Sequence, residues 1–304
     1  MSITLDGTIP FTAPVRSGPV CEHTGPANMT MPDPAQIKQG IRQTFDLVAA
    51  GYETPTMRYF PFSADQLVMY LKPVQGERIL DVATGTGLVA VAIGQMLGSA
   101  GRVQAIDISD SMLDKALQKV NQAGLGNIDL HNMDAERLDF KSSYFDAACC
   151  SFGLFFLPDM LQGSKEILRV LKPGGRFVST SFANTAFQPM AQLLREQLTV
   201  YGVSIPEDNW YRLASDDECL GLLTKAGFIN TQVARKQMGY HLAGSLDWWD
   251  ILYNSGFRGL LEQLEPSHLA DFRHKHLAAI DKLKTDKGIW MDVEVIFSMG
   301  HRPA

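Results

Sequence analysis

Hydrophobic and polar positions follow two alternating periods along the middle of the chain. Short apolar runs typical of buried strands are followed by segments with an apolar residue every three or four positions, which predict helices. Such an alternation predicts an α/β fold, with a mostly parallel sheet and helices on both faces. The strands are expected at residues 78–83, 103–108, 127–133, 145–151 and 176–181, and the helices between them at 88–97, 111–122 and 160–171.

Two residues mark the ends of the second of these helices. Asp110 has a side-chain oxygen that can accept a hydrogen bond from the first turn, so we predict that it is the N-cap. Gly124 can adopt the left-handed conformation that commonly ends a helix, so we predict the C-terminal cap there.

The segments on either side have different patterns. Residues 1–33 contain five prolines and little apolar periodicity, which indicates a flexible leader. Residues 34–75 contain two predicted helices, and we expect this segment to form an N-terminal helical lid. These two helices are expected at 34–50 and 64–71; after residue 182 the pattern predicts helices at 186–201 and 216–225, a strand at 228–235, a helical stretch at 245–283 and a closing apolar strand at 293–299.

Composition narrows the class of protein. The chain has 304 residues, of which 45% are hydrophobic, and a net charge of −6, which argues against a nucleic-acid partner because phosphate binding needs a basic face. No apolar run is long enough for a membrane span, so we expect a cytoplasmic protein without stable membrane insertion. The four cysteines lack metal or disulfide spacing, and the histidines do not cluster, so we predict no metal site. The sequence leaves open whether the protein is a monomer or a homodimer.

A glycine turn between the first predicted strand and helix indicates a ligand site. Gly85 and Gly87 fit the dinucleotide fingerprint, and Asp107 lies 22 residues after Gly85, where an acidic side chain binds ribose hydroxyls. An NAD(P)-dependent oxidoreductase is therefore one interpretation. Asp81 favours another, because a carboxylate just before the turn would repel a pyrophosphate. It suits the ammonium and sulfonium of S-adenosylmethionine, which also carries a ribose for Asp107.

The third predicted strand is followed by a further candidate for nucleoside binding. Asp134 can accept a hydrogen bond from the exocyclic amine of adenine, and the N–H of Ala135 can meet a ring nitrogen. Ile108 and Met112 are apolar and are expected to sandwich the adenine ring.

Five segments resemble, in order, the motifs of class I S-adenosylmethionine-dependent methyltransferases: ILDVATGTG, VQAIDISDSML, HNMDAERLDF, SYFDAACCSFGLFFLPD and EILRVLKPGGRFV. The pattern is most similar to the ubiquinone/menaquinone-biosynthesis methyltransferase type and related small-molecule enzymes, over about residues 40–182. The resemblance implies a Rossmann-like, seven-stranded, mostly parallel sheet with an antiparallel last strand. VEVIFSMGHR resembles that strand and would pair with 228–235. The core would then comprise residues 76–236 and 293–304, and residues 237–292 would form a helical insertion that caps the substrate.

The same resemblance implies further cofactor contacts. In FDLVAAGYE, Tyr52 would close over the methionine end of the cofactor. Asp81 and the main chain around Ser151 and Phe152 would hold the methionine amino group. Ala83 stands where many class I enzymes have glycine, although the quinone type often has alanine there.

The region after the fourth strand indicates the kind of acceptor. Residues 151–156 read Ser-Phe-Gly-Leu-Phe-Phe and lack the polar clamp of nucleic-acid amino methyltransferases. We therefore expect methylation at oxygen or carbon of a small, partly hydrophobic molecule, aromatic or not, with a non-catalytic S-adenosylmethionine-binding module as a further alternative. His241 is the candidate general base, because an ordinary histidine titrates near physiological pH. The candidate substrate contacts are Tyr59, Phe60, Trp210, Tyr211, Trp248 and Trp249.

Overall fold

Seven strands form one sheet in a computed structural model that describes residues 33–205 and 211–304. The strands of the chain are β1 Arg78–Val82, β2 Arg102–Asp107, β3 Ile128–Asn132, β4 Phe145–Ser151, β5 Leu171–Phe182, β6 Ile229–Gln237, β7 Tyr240–Leu242, β8 Ile289–Met291 and β9 Glu294–His301. The order in the sheet is β3-β2-β1-β4-β5-β9-β6, and β1 to β5 are parallel. The predicted α/β fold is confirmed.

The strand β9 is antiparallel to both of its neighbours, as predicted. Phe297 of β9 lies opposite Thr180 of β5 on one side and Ala234 of β6 on the other. Val295, Ile296 and Phe297 are fully buried, because this strand lies inside the sheet and is covered on both faces.

The helices of the described residues lie mostly between the strands. They are α1 Pro34–Val48, α2 Tyr59–Leu71, α3 Leu88–Leu97, α4 Asp110–Gln122, α5 Met160–Val170, α6 Met190–Val200, α7 Asp216–Ala226, α8 Ser245–Asn254, α9 Arg258–Leu261 and α10 Leu269–Asp281, with short 3-10 helices at Pro55–Met57 and Leu154–Phe156. Helices α2, α3 and α4 form one layer and α5 and α7 the other. None of the helices in the described ranges has both the length and the apolarity needed to cross a membrane.

The N-cap of α4 corrects one prediction. Ser109, not Asp110, is the cap, and its hydroxyl accepts a hydrogen bond from the Met112 N–H. Asp110 is the first residue of the helix, where its negative charge still interacts favourably with the helix dipole. At the other end Ala123 is the C-cap, and Gly124 follows it in the left-handed region at φ 64°, as the glycine was predicted to do.

The two helices assigned by the sequence to a lid have different positions. Helix α2 packs against α3 and the sheet, and its Leu67 and Leu71 are fully buried, so it belongs to the core layer. Helix α1 instead contacts α4 and α9. The predicted leader, residues 1–33, lies outside the described residues apart from Asp33.

An insertion separates β6 from β9, as predicted. It contains α8, α9 and α10, and also the strands β7 and β8, which pair antiparallel as a separate two-stranded sheet. This small sheet was not predicted, because three-residue strands carry too short an alternation to be detected. The insertion is part of the same compact unit as the core, Pro34–Ala304.

Candidate functional site

The loop after β1 turns sharply through residues in the left-handed region. Gly85 has φ 56°, which costs glycine little, and Ala83 has φ 54°, which costs a residue with a Cβ about 1–2 kcal/mol. Gly87 is required for packing, since a Cβ there would lie 3.0 Å from the Ala116 Cβ of α4. The turn therefore brings the backbone of residues 83–87 close to the ends of β2 and β4.

The loop after β4 meets this turn and is strained in the same way. Phe152 has φ 53°, and its N–H donates to Thr180 Oγ1 at 3.0 Å. A Cβ on Gly153 would lie 2.5 Å from the Ala83 Cβ, so the two loops touch. Two non-glycine residues in a rare conformation, side by side at strand ends, are typical of a functional site.

Asp107 lies at the end of β2 and is fixed by the loops around it. One carboxylate oxygen accepts from the Gly85 N–H at 2.8 Å and the other from the Ser109 N–H at 3.0 Å. Burial raises the pKa of Asp107, although these backbone hydrogen bonds oppose the shift. Each oxygen keeps a second lone pair, so the carboxylate can accept two further hydrogen bonds.

Asp81 is a fully buried carboxylate on β1. It accepts hydrogen bonds from Thr84 Oγ1 at 2.6 Å and from the Cys149 thiol at 3.3 Å. Burial raises the pKa of Asp81 to about 6, and the nearby Asp107 adds to the shift. Within residues 33–205 and 211–304 no lysine, arginine or histidine forms an ion pair with it. A buried carboxylate without a counterion is costly, and a bound cation would relieve that cost.

A cavity of about 720 Å³ opens over these loops. A smaller cavity of about 430 Å³ adjoins it over the glycine turn and is lined by Asp81, Thr84 and Thr86. Gly87 lines neither and serves the packing of α4. The predicted cofactor residues that line the larger cavity are Tyr52, Ala83, Gly85, Asp107, Ile108, Met112, Asp134, Ala135, Ser151 and Phe152.

Helix α1 supplies residues of this cavity that the sequence did not identify. Lys38, Ile41 and Phe45 all line it. The Lys38 ammonium donates to Asp134 Oδ2 at 2.6 Å and lies 2.5 Å from Glu136 Oε2. Asp134 Oδ1 accepts from the Glu136 N–H at 2.9 Å, so both oxygens of this carboxylate are oriented.

A second cavity, of about 520 Å³, lies next to the first and is almost entirely aromatic. Phe152 and Phe182 stack with their ring centroids 4.4 Å apart, and Phe187 packs edge-on against Phe182. We call this space the aromatic cavity. It is lined by Phe45, Tyr52, Tyr59, Phe60, Phe152, Phe155, Phe156, Phe182, Phe187, Ser255, Gly256 and Phe257.

The aromatic cavity shares part of its wall with the larger cavity. Phe45, Tyr52, Phe152 and Phe156 line both. Three residues of the aromatic cavity carry a side-chain hydroxyl: Tyr52, Tyr59 and Ser255. Burial raises the pKa of both Tyr52 and Tyr59, so at neutral pH these two are hydrogen-bonding groups and not bases.

Comparison with known proteins agrees with this geometry. Residues 62–205 match the model of the ubiE/COQ5 methyltransferase family. The chain is 34% identical over 170 residues to the ubiquinone/menaquinone biosynthesis C-methyltransferase UbiE of Serratia proteamaculans, which covers 51% of this chain and 68% of that relative. It is 34% identical over 147 residues to the aklanonic acid methyltransferase DauC of Streptomyces sp. strain C5, over 48% and 67% of the two chains.

The chain belongs to the ubiE/COQ5 methyltransferase family. It is an S-adenosylmethionine-dependent methyltransferase that acts on a small molecule, and S-adenosylmethionine is its cofactor. The oxidoreductase interpretation of the glycine turn is therefore not favoured.

The fold of this methyltransferase has relatives with other chemistry. The crystal structure of the [4+2]-cyclase SpnF superposes with a TM-score of 0.57 at 19% identity, over 88% of this chain and 97% of that one. At this identity the likeness concerns the fold alone. A fold that also carries a cyclisation does not determine the reaction, so the acceptor must be inferred from the site.

The methyltransferase places the predicted substrate residues in three different settings. Tyr59 and Phe60 line the aromatic cavity. Trp248 is fully buried behind that wall, against Phe187 and Phe257, and its indole N–H donates to His276 Nε2 at 2.9 Å. Trp210 lies outside the described residues.

The remaining two substrate candidates make contacts away from the cavity wall. Trp249 stacks on Tyr253 and also contacts Phe272 and the guanidinium of Arg273. The Tyr211 hydroxyl donates to the Ala186 carbonyl at 3.1 Å and accepts from Gln188 Nε2 at 2.8 Å.

His241, the candidate base, lies away from both cavities of the methyltransferase. It is on β7 with an exposed side chain, and its ring packs edge-on against Trp290 of β8 at 5.1 Å. Tyr240 beside it turns the other way, and its hydroxyl donates to the Thr56 carbonyl. The structure therefore does not bring His241 together with the other predicted site residues.

Proposed function

We propose that this methyltransferase transfers a methyl group to oxygen or carbon of a small, partly hydrophobic aromatic molecule that binds in the aromatic cavity. One observation carries the proposal: the aromatic cavity adjoins the larger cavity and shares Phe45, Tyr52, Phe152 and Phe156 with it. Aromatic rings favour a planar guest, because offset and edge-on contacts between rings are stabilising beyond the burial of apolar surface. A strongly charged acceptor would lose its hydration without gaining a counterion from these walls.

We propose that the cofactor occupies the larger cavity and its smaller neighbour. Asp107 would hold the two ribose hydroxyls with its remaining lone pairs, and Asp81 would pair with the positively charged methionine end. Asp81 is buried and has no counterion among the described residues. This feature of the structure fits S-adenosylmethionine and does not fit a pyrophosphate. Adenine would lie between Ile108 and Met112, with Asp134 and Ala135 at its edge.

The residues of the chain act by alignment and by exclusion of water. When bound, the cofactor supplies a methyl group on a sulfonium, which is already an activated donor. Tyr52 and Phe152, at the junction of the cavities, would hold the two reactants in line, and holding reacting atoms about 3–3.5 Å apart removes much of the entropic barrier. The wall of the aromatic cavity carries no carboxylate, imidazole or amine among the described residues, so the proton that the acceptor loses on methylation would pass to solvent. His241 therefore has no part in the proposed mechanism.

The names of the relatives support a small acceptor. The Serratia protein is a C-methyltransferase of ubiquinone and menaquinone biosynthesis, and the Streptomyces protein acts on aklanonic acid. We propose an acceptor of similar size and hydrophobicity for this chain. The Serratia name specifies transfer to carbon and the Streptomyces name specifies no atom, so the proposal includes both carbon and oxygen.

The experiment that tests this function is methyl transfer from isotopically labelled S-adenosylmethionine. The purified chain is incubated with separate sets of phenols, quinols, aromatic carboxylates and aliphatic amines, and with total RNA. We expect label in an aromatic compound, at oxygen or carbon, and none in RNA, because the net charge of −6 disfavours phosphate binding.

Calorimetry with S-adenosylhomocysteine and with NADH completes the test. The proposal requires that the first binds, that the second does not, and that Asp107→Ala abolishes binding. Tight binding of S-adenosylhomocysteine without transfer to any aromatic compound would overturn the acceptor assignment and favour a non-catalytic binding module.

A further inference from the structure

One face of helix α1 forms part of the wall of the larger cavity. Lys38, Ile41 and Phe45 are spaced three and four residues apart, so they project from the same side of the helix, and all three line the cavity. This helix lies outside residues 62–205, the range matched by the family model. Lys38 also lies before the segment beginning at about residue 40 that resembles the family, so its contacts are a property of this chain that the family match does not assign.

Charged side chains of residues 34–53 tie this segment to each of the three loops that surround the cofactor site. Lys38 pairs with Asp134 and Glu136 after β3. Asp46 accepts from Ser109 Oγ at 2.6 Å and from the Ser111 N–H at 3.2 Å, after β2. Glu53 accepts from Thr86 Oγ1 and from Lys119, so it joins the glycine turn after β1 to α4.

The bridge made by Lys38 differs from an ordinary surface ion pair. Its side chain is 26% exposed, and those of Asp134 and Glu136 are 37% and 11% exposed. One ammonium thus joins two carboxylates in a partly buried setting, where screening by water is reduced. Burial alone would lower the pKa of Lys38, but the hydrogen bonds that its ammonium donates to the two carboxylates outweigh burial and raise the pKa above its ordinary value.

We infer that Lys38 is the latch of the N-terminal lid: by bridging Asp134 and Glu136, it holds Ile41 and Phe45 of α1 over the bound nucleoside and slows its release. The inference rests on the proposed assignment of this cavity to the cofactor. Lys38 is here a positioning residue, because it acts through Asp134 and through the helix that carries it.

The latch has a consequence for the acceptor. Phe45 lines the aromatic cavity as well, and its ring meets Phe156 edge-on at 5.1 Å. A lid held closed by Lys38 therefore also completes the wall against which the acceptor binds.

The test compares Lys38→Met with Arg42→Met in the full chain. Arg42 is one turn further along α1, its side chain is 53% exposed, and within the described residues its ion pair is a long one of 4.0 Å to Asp46. Both variants lose one positive charge from the same helix, so the pair separates the latch from a general effect of charge. The conservative Lys38→Arg can still bridge two carboxylates.

The probe is S-adenosylhomocysteine, and the readouts are its dissociation rate by stopped flow, its Kd by calorimetry, and hydrogen exchange of residues 34–53 with and without it. We expect Lys38→Met to raise the dissociation rate and the Kd about tenfold, as a partly buried ion pair predicts. Exchange protection of α1 by the ligand should be lost in this variant, while Arg42→Met and Lys38→Arg should stay within about threefold of the wild type.

The outcomes distinguish a failure of the latch from a failure of the proposed cofactor site. Equal dissociation rates and equal protection in Lys38→Met and wild type would overturn the latch, although the cofactor assignment would stand. A lower melting temperature with an unchanged dissociation rate would show that Lys38 only stabilises the fold, which also overturns it. A wild type that does not bind S-adenosylhomocysteine would instead refute the proposed cofactor site.

Discussion

Asp81 shows how the environment of one residue can govern the pH dependence of ligand binding. Its carboxyl is fully buried and its pKa is about 6. Above that pH the group is ionised and attracts the cationic methionine end of the cofactor; below it the group is protonated and the attraction is lost. The affinity for the cofactor is therefore expected to fall as the pH falls through 6.

We predict that the Kd of S-adenosylhomocysteine rises about tenfold between pH 7 and pH 5, since each unit below the pKa removes most of the remaining carboxylate. Calorimetry over this range measures the effect. The control is Asp81→Asn, which should bind weakly and show little further change with pH. Asp107 also has a raised pKa, so a profile that stays steep in Asp81→Asn would assign the titration to Asp107 instead.

At this scale, the sequence located the carboxylates but not their partners. Asp81, Asp107 and Asp134 could be found because each follows or ends a strand whose apolar pattern is clear. Lys38 could not, because its partner Asp134 is 96 residues away and an isolated lysine in a helix is usually solvated. The sequence predicted Asp110 as the N-cap of α4, and the structure has Ser109. The two positions are adjacent, and both residue types are good N-caps.

At the scale of elements, the segment between α8 and α9 lies at the rim of the aromatic cavity. Ser255, Gly256 and Phe257 line this cavity and do not line the larger one. A Cβ on Gly256 would lie 3.3 Å from the ring of Phe156 and 3.9 Å from that of Phe45. The segment thus meets both the lid and the core around the proposed acceptor.

We predict that Gly256→Leu lowers kcat/KM for the acceptor at least tenfold, because the new side chain occupies space that the acceptor needs. The Kd of S-adenosylhomocysteine should stay within about threefold of the wild type. A matched control is Gly221→Leu on α7, where a Cβ meets no atom within 4 Å. Equal losses of cofactor binding and turnover in Gly256→Leu would contradict a wall that serves the acceptor.

The ends of the elements were harder to predict than their existence. The predicted strand at 176–181 begins at Leu171 in the structure. Residues 172–175 are typical of a turn in the sequence, but in the structure they belong to β5, which follows α5 directly. The predicted helix at 186–201 begins only at Met190, since Phe187 has φ 64° and Pro189 cannot donate a helical hydrogen bond. Local composition cannot resolve such boundaries, because tertiary contacts decide them.

At the scale of the whole molecule, the aromatic cavity is built from parts that are far apart in the chain. Phe45 comes from α1, Tyr59 from α2, Phe182 from the end of β5 and Phe257 from the insertion. No local pattern connects these positions, so the sequence predicted an apolar acceptor and two residues of its wall, Tyr59 and Phe60, but not the rest of the wall. Trp248 illustrates the same limit: its position in the insertion was right, yet it packs behind the wall.

The shared wall also predicts the order in which the two ligands bind. Phe45 and Tyr52 line both cavities, and both lie in residues 34–53, the segment that the inferred latch holds closed. The acceptor should therefore bind well only while this segment is closed, because its wall is then complete, and bound cofactor should shift the segment towards the closed state. A dead-end analogue of the acceptor identified by labelling should be uncompetitive against S-adenosylmethionine in initial-rate measurements. In Lys38→Met the inhibition pattern should become mixed. Without the latch, bound cofactor no longer holds residues 34–53 closed, so binding of the acceptor analogue is no longer tied to prior binding of the cofactor. A mixed pattern already in the wild type would mean that the aromatic cavity forms independently of α1, and the two sites would then be coupled only through the reaction itself.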